Sequence, residues 1–321
     1  MTAYVLDREG SVESRVDRVA LEARLSSGEF FWLDLHDPGE EEFALLRDVF
    51  KFHPLALEDS QTFGQRPKLE DFGDFVFLVF YGAAPPPDKD RLVEIHCFYS
   101  DRFLVTVRRD DAPACELLRA RYEKRPAPAP RPVVILYKLL DSLADSFLTA
   151  LEDFDDRIDE LQDKVVQGPT DEQLHVLFAM RRQLVALRRV VTPQRDVAAS
   201  IASGVVQLPD LDDEAERYFR DVYDHLIRVS DMIDSYREVM GGAMEVYLST
   251  VSNRLNTIMA RLTVISTIVL PLIVLTGFFG QNFAWMVRHV GSVGAFLILG
   301  LALPVVAVVL LVLLLRRQQL L

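Results

Sequence analysis

Apolar residues follow three different rhythms along this chain, and each predicts a different kind of element. Near the C-terminus two long apolar runs, Leu262–Phe279 and Val293–Leu315, flank a short segment beginning Gly280-Gln281-Asn282. They hold 18 and 23 residues, and about 20 residues at a rise of ~1.5 Å suffice to cross a hydrocarbon core of ~30 Å. Two buried core helices are the soluble alternative, but a run of 23 residues with no polar side chain is rare in soluble cores. Both runs are therefore expected to span a membrane.

Upstream, the pattern shortens to strands rich in Val, Phe and Leu: Ala3–Leu6, Phe30–Leu35, Asp74–Tyr81, Leu92–Tyr99 and Phe103–Val107. Helical patterns at Val19–Leu25 and Glu40–Val49 intervene. Asp37-Pro38-Gly39-Glu40 reads as a helix start, with Asp37 as N-cap, Pro38 at the first helical position and Glu40 completing a capping box. On that basis Asp34, His36 and Asp37 are turn and cap residues rather than a metal site. An α/β domain over residues 1–125 follows, and the proline-rich stretch Pro126–Pro132 serves as a linker.

The third rhythm is helical. Phe147, Leu151, Phe154, Ile158, Leu161 and Val165 alternate steps of four and three, as in a coiled-coil seam. Gln167-Gly168-Pro169 breaks the seam, Thr170 with Gln173 restarts a helix, and Leu174, Leu177, Leu184, Leu187 and Val191 line a return arm. The first arm is acidic outside (Glu152, Asp153, Asp155, Asp156, Asp159, Glu160, Asp163) and the second basic (Arg181, Arg182, Arg188, Arg189). Such runs read as solvated faces, or as a surface that gathers cations. This antiparallel hairpin and its linker occupy 126–210. From about Asp212 a helical pattern runs without proline to Pro271, a stalk of roughly 100 Å at the usual rise. The adjacent Gly241-Gly242 marks either a hinge or a close helix contact. The expected organisation is α+β: the α/β domain, the hairpin, a stalk at 211–261, a first span at 262–282, an external loop at 283–292, a second span at 293–315 and a basic tail at 316–321.

The spans differ in chemistry. The second has no hydroxyl, amide or charge and can face lipid all round. In the first, Asn256, Met259, Thr263, Ser266, Leu270, Ile273 and Gly277 recur at three- and four-residue steps, one helical face. That face suits a narrow aqueous path with apolar constrictions. Equally, its hydroxyls can bond back to their own helix in an ordinary packing face. One two-span subunit cannot enclose a pore, so a pore implies an oligomer.

Charge narrows the function. Lys and Arg total 35 and Asp and Glu 48, a net −13; residues 255–321 carry four Arg and no acid, which leaves −17 on the rest. Nucleic acid, which needs a basic surface, is excluded as a partner. Arg254 and Arg261 precede the first span and Arg316 and Arg317 follow the second, whereas the loop holds Arg288 and His289. The positive-inside rule puts both termini in the cytoplasm, and the N-terminus shows no signal-peptide pattern. Cys97 and Cys115 are too few for a disulfide framework, and the six His are scattered. No Ser-His-Asp order, phosphate loop or HExxH pattern suggests an enzyme.

Several motifs in order carry a resemblance: His53-Pro54-Leu55-Ala56-Leu57-Glu58-Asp59, Gln65-Arg66-Pro67-Lys68, Tyr218 to His225, Val246 to Arg254, and Thr276-Gly277-Phe278-Phe279-Gly280-Gln281-Asn282-Phe283. With two C-terminal spans, this set resembles the CorA family of divalent-cation transporters along nearly the whole chain. The resemblance implies a funnel-shaped homopentamer in the cell (inner) membrane, whose first spans line a central pore. It implies a selectivity filter at Gly280, Gln281 and Asn282, and pore positions at Asn256, Met259, Leu262 and Leu270, the last three as apolar constrictions. It also implies a regulatory metal pair, Asp59 with Glu245, that senses intracellular divalent ion. Mg2+ is the expected cargo and regulator, with Co2+ or Ni2+ as lesser substrates. The chain departs from the family pattern at Gln281, where Met is usual, at Ile273, where a pore threonine is usual, and in the loop, where Arg288 stands and no glutamate does. The zinc branch, ZntB-like and associated with proton coupling, also varies the middle filter residue, so Zn2+ uptake is the alternative. From another class, a membrane-anchored sensor or scaffold could use the same coiled coils.

Overall fold

The computed structural model describes residues 2–6, 12–13, 18–84, 91–124, 131–281 and 283–317. Most of the Pro126–Pro132 linker therefore lies outside the described residues. The chain divides into two compact units: Met1–Asp163 with Asp171–Ala243, and Lys164–Thr170 with Met244–Leu321.

The first unit is built on strands β1 (Thr2–Leu6), β2 (Val12–Glu13), β3 (Phe31–His36), β4 (Lys68–Asp71), β5 (Val76–Ala83), β6 (Leu92–Tyr99) and β7 (Phe103–Arg108). They form one sheet in the order β2-β1-β3-β7-β6-β5-β4. Only the β3–β7 pair is parallel. Every residue of β5 and β7 is buried, which accounts for their nearly continuous apolar runs. Helices α1 (Arg18–Ser27), α2 (Glu40–Asp48), α3 (Pro54–Thr62) and α4 (Pro113–Lys124) connect or flank the strands. Phe50, Phe52, Phe75, Phe98 and Phe103 form an aromatic cluster with centroid separations of 4.1 to 5.8 Å.

Three expectations are corrected here. The N-cap of α2 is Gly39, not Asp37, and its N–H donates to Glu42 Oε2 at 2.7 Å; Glu42 rather than Glu40 closes the box. Asp37 instead takes a left-handed φ of 51°, a conformation its short polar side chain tolerates. Asp34 is no turn residue. It is buried within β3 and accepts from Thr106 Oγ1 at 2.6 Å and Arg108 Nη2 at 3.0 Å. Arg108 also donates to the Asp110 carbonyl and to Glu116, so its fully buried guanidinium is compensated and Asp34 keeps a partner.

Helices α5 (Pro132–Leu151), α6 (Phe154–Gln167), α7 (Asp171–Ala202) and α8 (Asp213–Phe279) follow. The predicted seam residues Phe147, Leu151, Phe154, Ile158, Leu161 and Val165 are all buried, while the backbone breaks between α5 and α6 at Glu152-Asp153. Phe154 stacks on Tyr236 of α8 at 5.5 Å, and Arg188 of α7 pairs with Asp234 of α8 at 2.6 Å. The acidic residues of α6 are exposed.

Beyond Val79, β5 has no strand partner on its outer side among the described residues, since β4 pairs only with Val76–Val79. Side chains take over: Tyr81 N–H donates to the buried Gln194 of α7, and Ala83 N–H to Ser146 Oγ of α5 at 2.8 Å. Both satisfy donors that burial would otherwise strand. Gly82 makes the α5 approach possible, because a Cβ there would lie 2.8 Å from Leu143 Cδ2 and 2.9 Å from Ser146 Oγ. Gly82→Ala should therefore destabilise the first unit by about 2 kcal/mol through overpacking, read as a lower unfolding midpoint. An unchanged midpoint would show that α5 has room to shift.

In the second unit, Val165, Tyr247, Val264 and Leu315 are the buried residues among those described. Tyr247 Oη donates to the Thr170 carbonyl at 3.4 Å. Helix α8 passes through Gly241-Gly242 and Pro271 without interruption. Nothing lies within 4 Å of a Cβ at Gly241 or Gly242, so within this chain the pair is not a close-packing contact. The segment expected as a plain loop carries a helix, α9 (Ala284–Val290). Trp285 and His289 stack one turn apart at 4.7 Å, and Arg288 and His289 occupy its last turn, where the helix dipole favours positive charge. The second span comprises α10 (Val293–Ala295), a π-helical stretch Phe296–Ala302, and α11 (Leu303–Arg317). The wider turns directly precede Pro304, whose missing N–H and bulky ring cannot continue a regular ladder.

Candidate functional site

Two helices are long and apolar enough to cross a membrane, Asp213–Phe279 through its C-terminal part and Val293–Arg317, and almost none of either apolar stretch is buried within the chain. Since α8 is unbroken there, the predicted face exists as a continuous file. Asn256, Met259, Thr263, Ser266, Leu270, Ile273 and Gly277 are all exposed, as is the neighbouring Leu262. The hydroxyls of Thr263 and Thr276 donate to the Met259 and Leu272 carbonyls, both at 2.8 Å. Back-bonding of this kind leaves their oxygen lone pairs outward, so the two readings of these hydroxyls are compatible.

The same spacing continues toward the N-terminus through Ser252, Ser249 and Glu245, all exposed. Sequence reasoning placed Glu245 alone and missed the serines, although extending the four-and-three steps would have found them. The file thus passes from carboxylate, hydroxyl and amide groups to a mixed and mainly apolar stretch.

At its end Gly280 N–H donates to the Thr276 carbonyl at 2.9 Å, and Gln281 N–H to the Phe278 carbonyl at 3.3 Å. A Cβ at Gly280 would lie 2.9 Å from the Thr276 carbonyl oxygen. That backbone atom cannot yield, so the tight helix end needs glycine at 280. Gln281 is exposed, and Asn282 lies outside the described residues.

Of the predicted regulatory pair, Asp59 lies on α3 in the first unit and Glu245 on α8 in the second. Asp59 is already engaged: Lys68 Nζ donates to its Oδ2 at 2.7 Å and to Glu70 Oε1 at 2.8 Å. Burial lowers the Lys68 pKa, but the bonds to Asp59 and Glu70 outweigh it and hold the ammonium above its ordinary value.

A further group escaped the sequence reading. Asp141 and Asp145 on α5 and His225 on α8 could hold a metal ion, with ligand atoms all within 4.8 Å of one another. His225 Nδ1 lies 3.1 Å from Asp141 Oδ1 and 3.0 Å from Asp145 Oδ1, yet Nδ1 and Asp141 Oδ1 are buried without an aligned hydrogen bond. Asp221 approaches Nε2 at 3.7 Å. Residues 84 positions apart in sequence meet here only through helix packing, although the i, i+4 pair Asp141 and Asp145 was a visible cue. One imidazole and two carboxylates suit Mn2+, Co2+ or Zn2+ better than Mg2+.

Residues 27–317 match the family described as CorA-like Mg2+ transporter protein. The chain is 34% identical over 253 residues to the cobalt/magnesium transport protein CorA of Thermotoga maritima, across 74% of this chain and 69% of that one. The chain belongs to the CorA-like Mg2+ transporter family. A zinc transport protein, ZntB of Yersinia enterocolitica, is 25% identical across 91% of this chain and 88% of its own. Among solved structures, the CorA magnesium transporter of Methanocaldococcus jannaschii superposes with a TM-score of 0.83 at 23% identity, over 99% of this chain and 98% of that one. The fold is thus that of CorA: an N-terminal α/β domain, a long helix and two C-terminal apolar helices. Transport of divalent metal ions is the work of this family, and its members are transporters rather than enzymes.

The Asp141 group generates a test. Burial raises the Asp141 pKa, and the Asp145 charge adds to it. Its folded pKa thus exceeds the unfolded one, so its ionisation costs stability as pH rises from the unfolded value through the folded one. At pH 7 in chelator, Asp141→Asn should raise the melting temperature by about 2 °C. Mn2+ or Co2+ should stabilise the native chain and remove that advantage. A variant that melts lower in chelator would show that Asp141 is held by the imidazole rather than repelled by Asp145.

Proposed function

We propose that this chain is the subunit of a homopentamer that passes Mg2+, with Co2+ and Ni2+ as lesser substrates, through a central pore in the inner membrane. Both termini lie in the cytoplasm. The observation that carries the reading is the uninterrupted exposed file on α8. Polar groups at Glu245, Ser249, Ser252 and Asn256 lead to Met259, Leu262, Thr263, Ser266, Leu270, Ile273 and Gly277, and Gly280-Gln281 follow. A lipid-facing helix has no use for that file, whereas a ring of such helices encloses a path with hydrophobic constrictions at Met259, Leu262 and Leu270. At its outer end the backbone and side chains of Gly280, Gln281 and Asn282 form the filter. Mg2+ surrenders water reluctantly, so amide and carbonyl oxygens serve it best by holding the hydrated ion. In this reading intracellular divalent ion bound by Asp59 and Glu245 holds the gate closed, and its loss lets the pore open.

A second reading is zinc uptake coupled to protons. Gln281 and the basic loop residues Arg288 and His289 favour it, because they replace the acidic mouth expected for a magnesium pore. Reconstitution in liposomes distinguishes the readings. Mg2+ influx driven by voltage alone supports the magnesium channel, zinc influx that needs a pH gradient supports the second reading, and no flux of either ion supports a sensor or scaffold. Asn282→Ala should reduce flux at least tenfold, equivalent to about 1.4 kcal/mol, without altering the oligomer on size exclusion. Unaltered flux would remove Asn282 from the filter.

A further inference from the structure

The ammonium of Lys68 bridges the carboxylates of Asp59 and Glu70. Its contacts to Asp59 and Glu70 are 2.7 and 2.8 Å, and the Lys68 and Asp59 side chains are only 28% and 23% exposed. The backbone fixes this geometry. Asp59 lies in the C-terminal half of α3, whose next residue, Phe63, takes a φ of 57°. Gly64 follows at 73° and turns the chain back. Glu94 then accepts from the N–H groups of Gly64 and Gln65, and it is held by His96 Nε2 at 2.8 Å. Lys68 begins β4 opposite Val79 of β5. Helix and strand are thus tied together at both ends of the turn, and Lys68 has little freedom to leave Asp59 by loop movement.

We infer that Lys68 is a tethered competitor of the divalent ion at Asp59 and so sets the internal concentration at which transport shuts off. The inference rests on the proposed sensing role of Asp59. Two carboxylates share one ammonium, so an ion arriving at Asp59 need not strand the lysine: Lys68 keeps Glu70. Displacement exchanges a single charge for a double one, and the cost is confined to one half-buried pair. Glu70 thereby acts as the parking place that makes release possible.

The test is Mg2+ flux in proteoliposomes loaded with graded internal Mg2+. Lys68→Met should lower the half-inhibiting concentration roughly fivefold, and Lys68→Arg should restore it toward the native value. Glu70→Gln should raise it, because the lysine then has only Asp59. A merely structural role for Lys68 would not move these two variants in opposite directions. Asp59→Asn separates the two ideas. If it abolishes inhibition while Lys68→Met leaves the threshold unmoved or raised, the competitor is overturned and the sensor stands. If Asp59→Asn is inhibited like the native protein, both fall. Should Lys68→Met carry no flux at any internal concentration, Mn2+ binding to the solubilised full chain decides, counted as the part that Asp59→Asn removes. Tighter binding than native supports competition, and equal or weaker binding overturns it.

Discussion

A backbone in hydrocarbon must satisfy its own hydrogen bonds, and the second unit is organised around that constraint. Water cannot rescue a stranded N–H or carbonyl there. The chain meets the demand with helix almost throughout, from α8 through α9 to α11. Where the ladder is interrupted, the interruption has a local cause. Pro271 withdraws one donor from α8, and Pro304 is preceded by the π-helical stretch Phe296–Ala302. The hydroxyls of Thr263 and Thr276 return to the ladder of their own helix. Polar groups can therefore line a face of the span without weakening it. Helix formation and an aqueous path are not in competition.

The first unit meets a related demand with different means. Its sheet is almost wholly buried, so polar side chains inside it need partners of opposite character. Asp34, Thr106, Trp32 and Arg108 form one connected group, and Glu94, His96 and Ser60 form another. Breaking a buried pair from one side leaves an uncompensated charge, which costs far more than the pair contributes. These groups therefore act chiefly by specifying register: Asp34 fits only where Thr106 stands opposite it on the parallel neighbour strand and Arg108, two residues on, can reach it. The second group also fixes the turn between α3 and β4, on which the position of Lys68 depends.

What was legible in the sequence follows the same physics. The seam from Phe147 to Val165 and the strands at Leu92–Tyr99 and Phe103–Val107 announce themselves because burial demands apolar residues at regular steps. Strand β4 does not, since Lys68-Leu69-Glu70-Asp71 pairs on one side only and carries the charges that blunt an edge. Asp34 misleads for a different reason. Its compensation comes from a residue 74 positions away, which no local pattern can reveal. The same holds for His225 with Asp141 and for Gln194 capping β5. The spacing of Asn256 to Gly277 was readable because a single helix carries it, whereas the occupation of Asp59 by Lys68 depends on a turn held by Glu94.

The departures at the outer end of the proposed pore set a problem that electrostatics can frame. Arg288 and His289 occupy the last turn of α9, where other members of the family are expected to carry an acid. A positive mouth lowers the local concentration of divalent cations and slows their entry, and salt screens the effect within roughly 8 Å at physiological ionic strength. The acidic balance of residues 1–254, −17 in all, lies upstream of the first span. With both termini in the cytoplasm, as proposed, attraction and repulsion would act on opposite sides of the barrier. In the proposed channel that arrangement would favour exit of cations into the cytoplasm over their capture from outside. The proposed channel would draw on the membrane potential for its driving force, worth about 2.3 kcal/mol per charge per 100 mV. A divalent ion feels both that field and the repulsion of the mouth twice over, so driving force and barrier scale together with its charge.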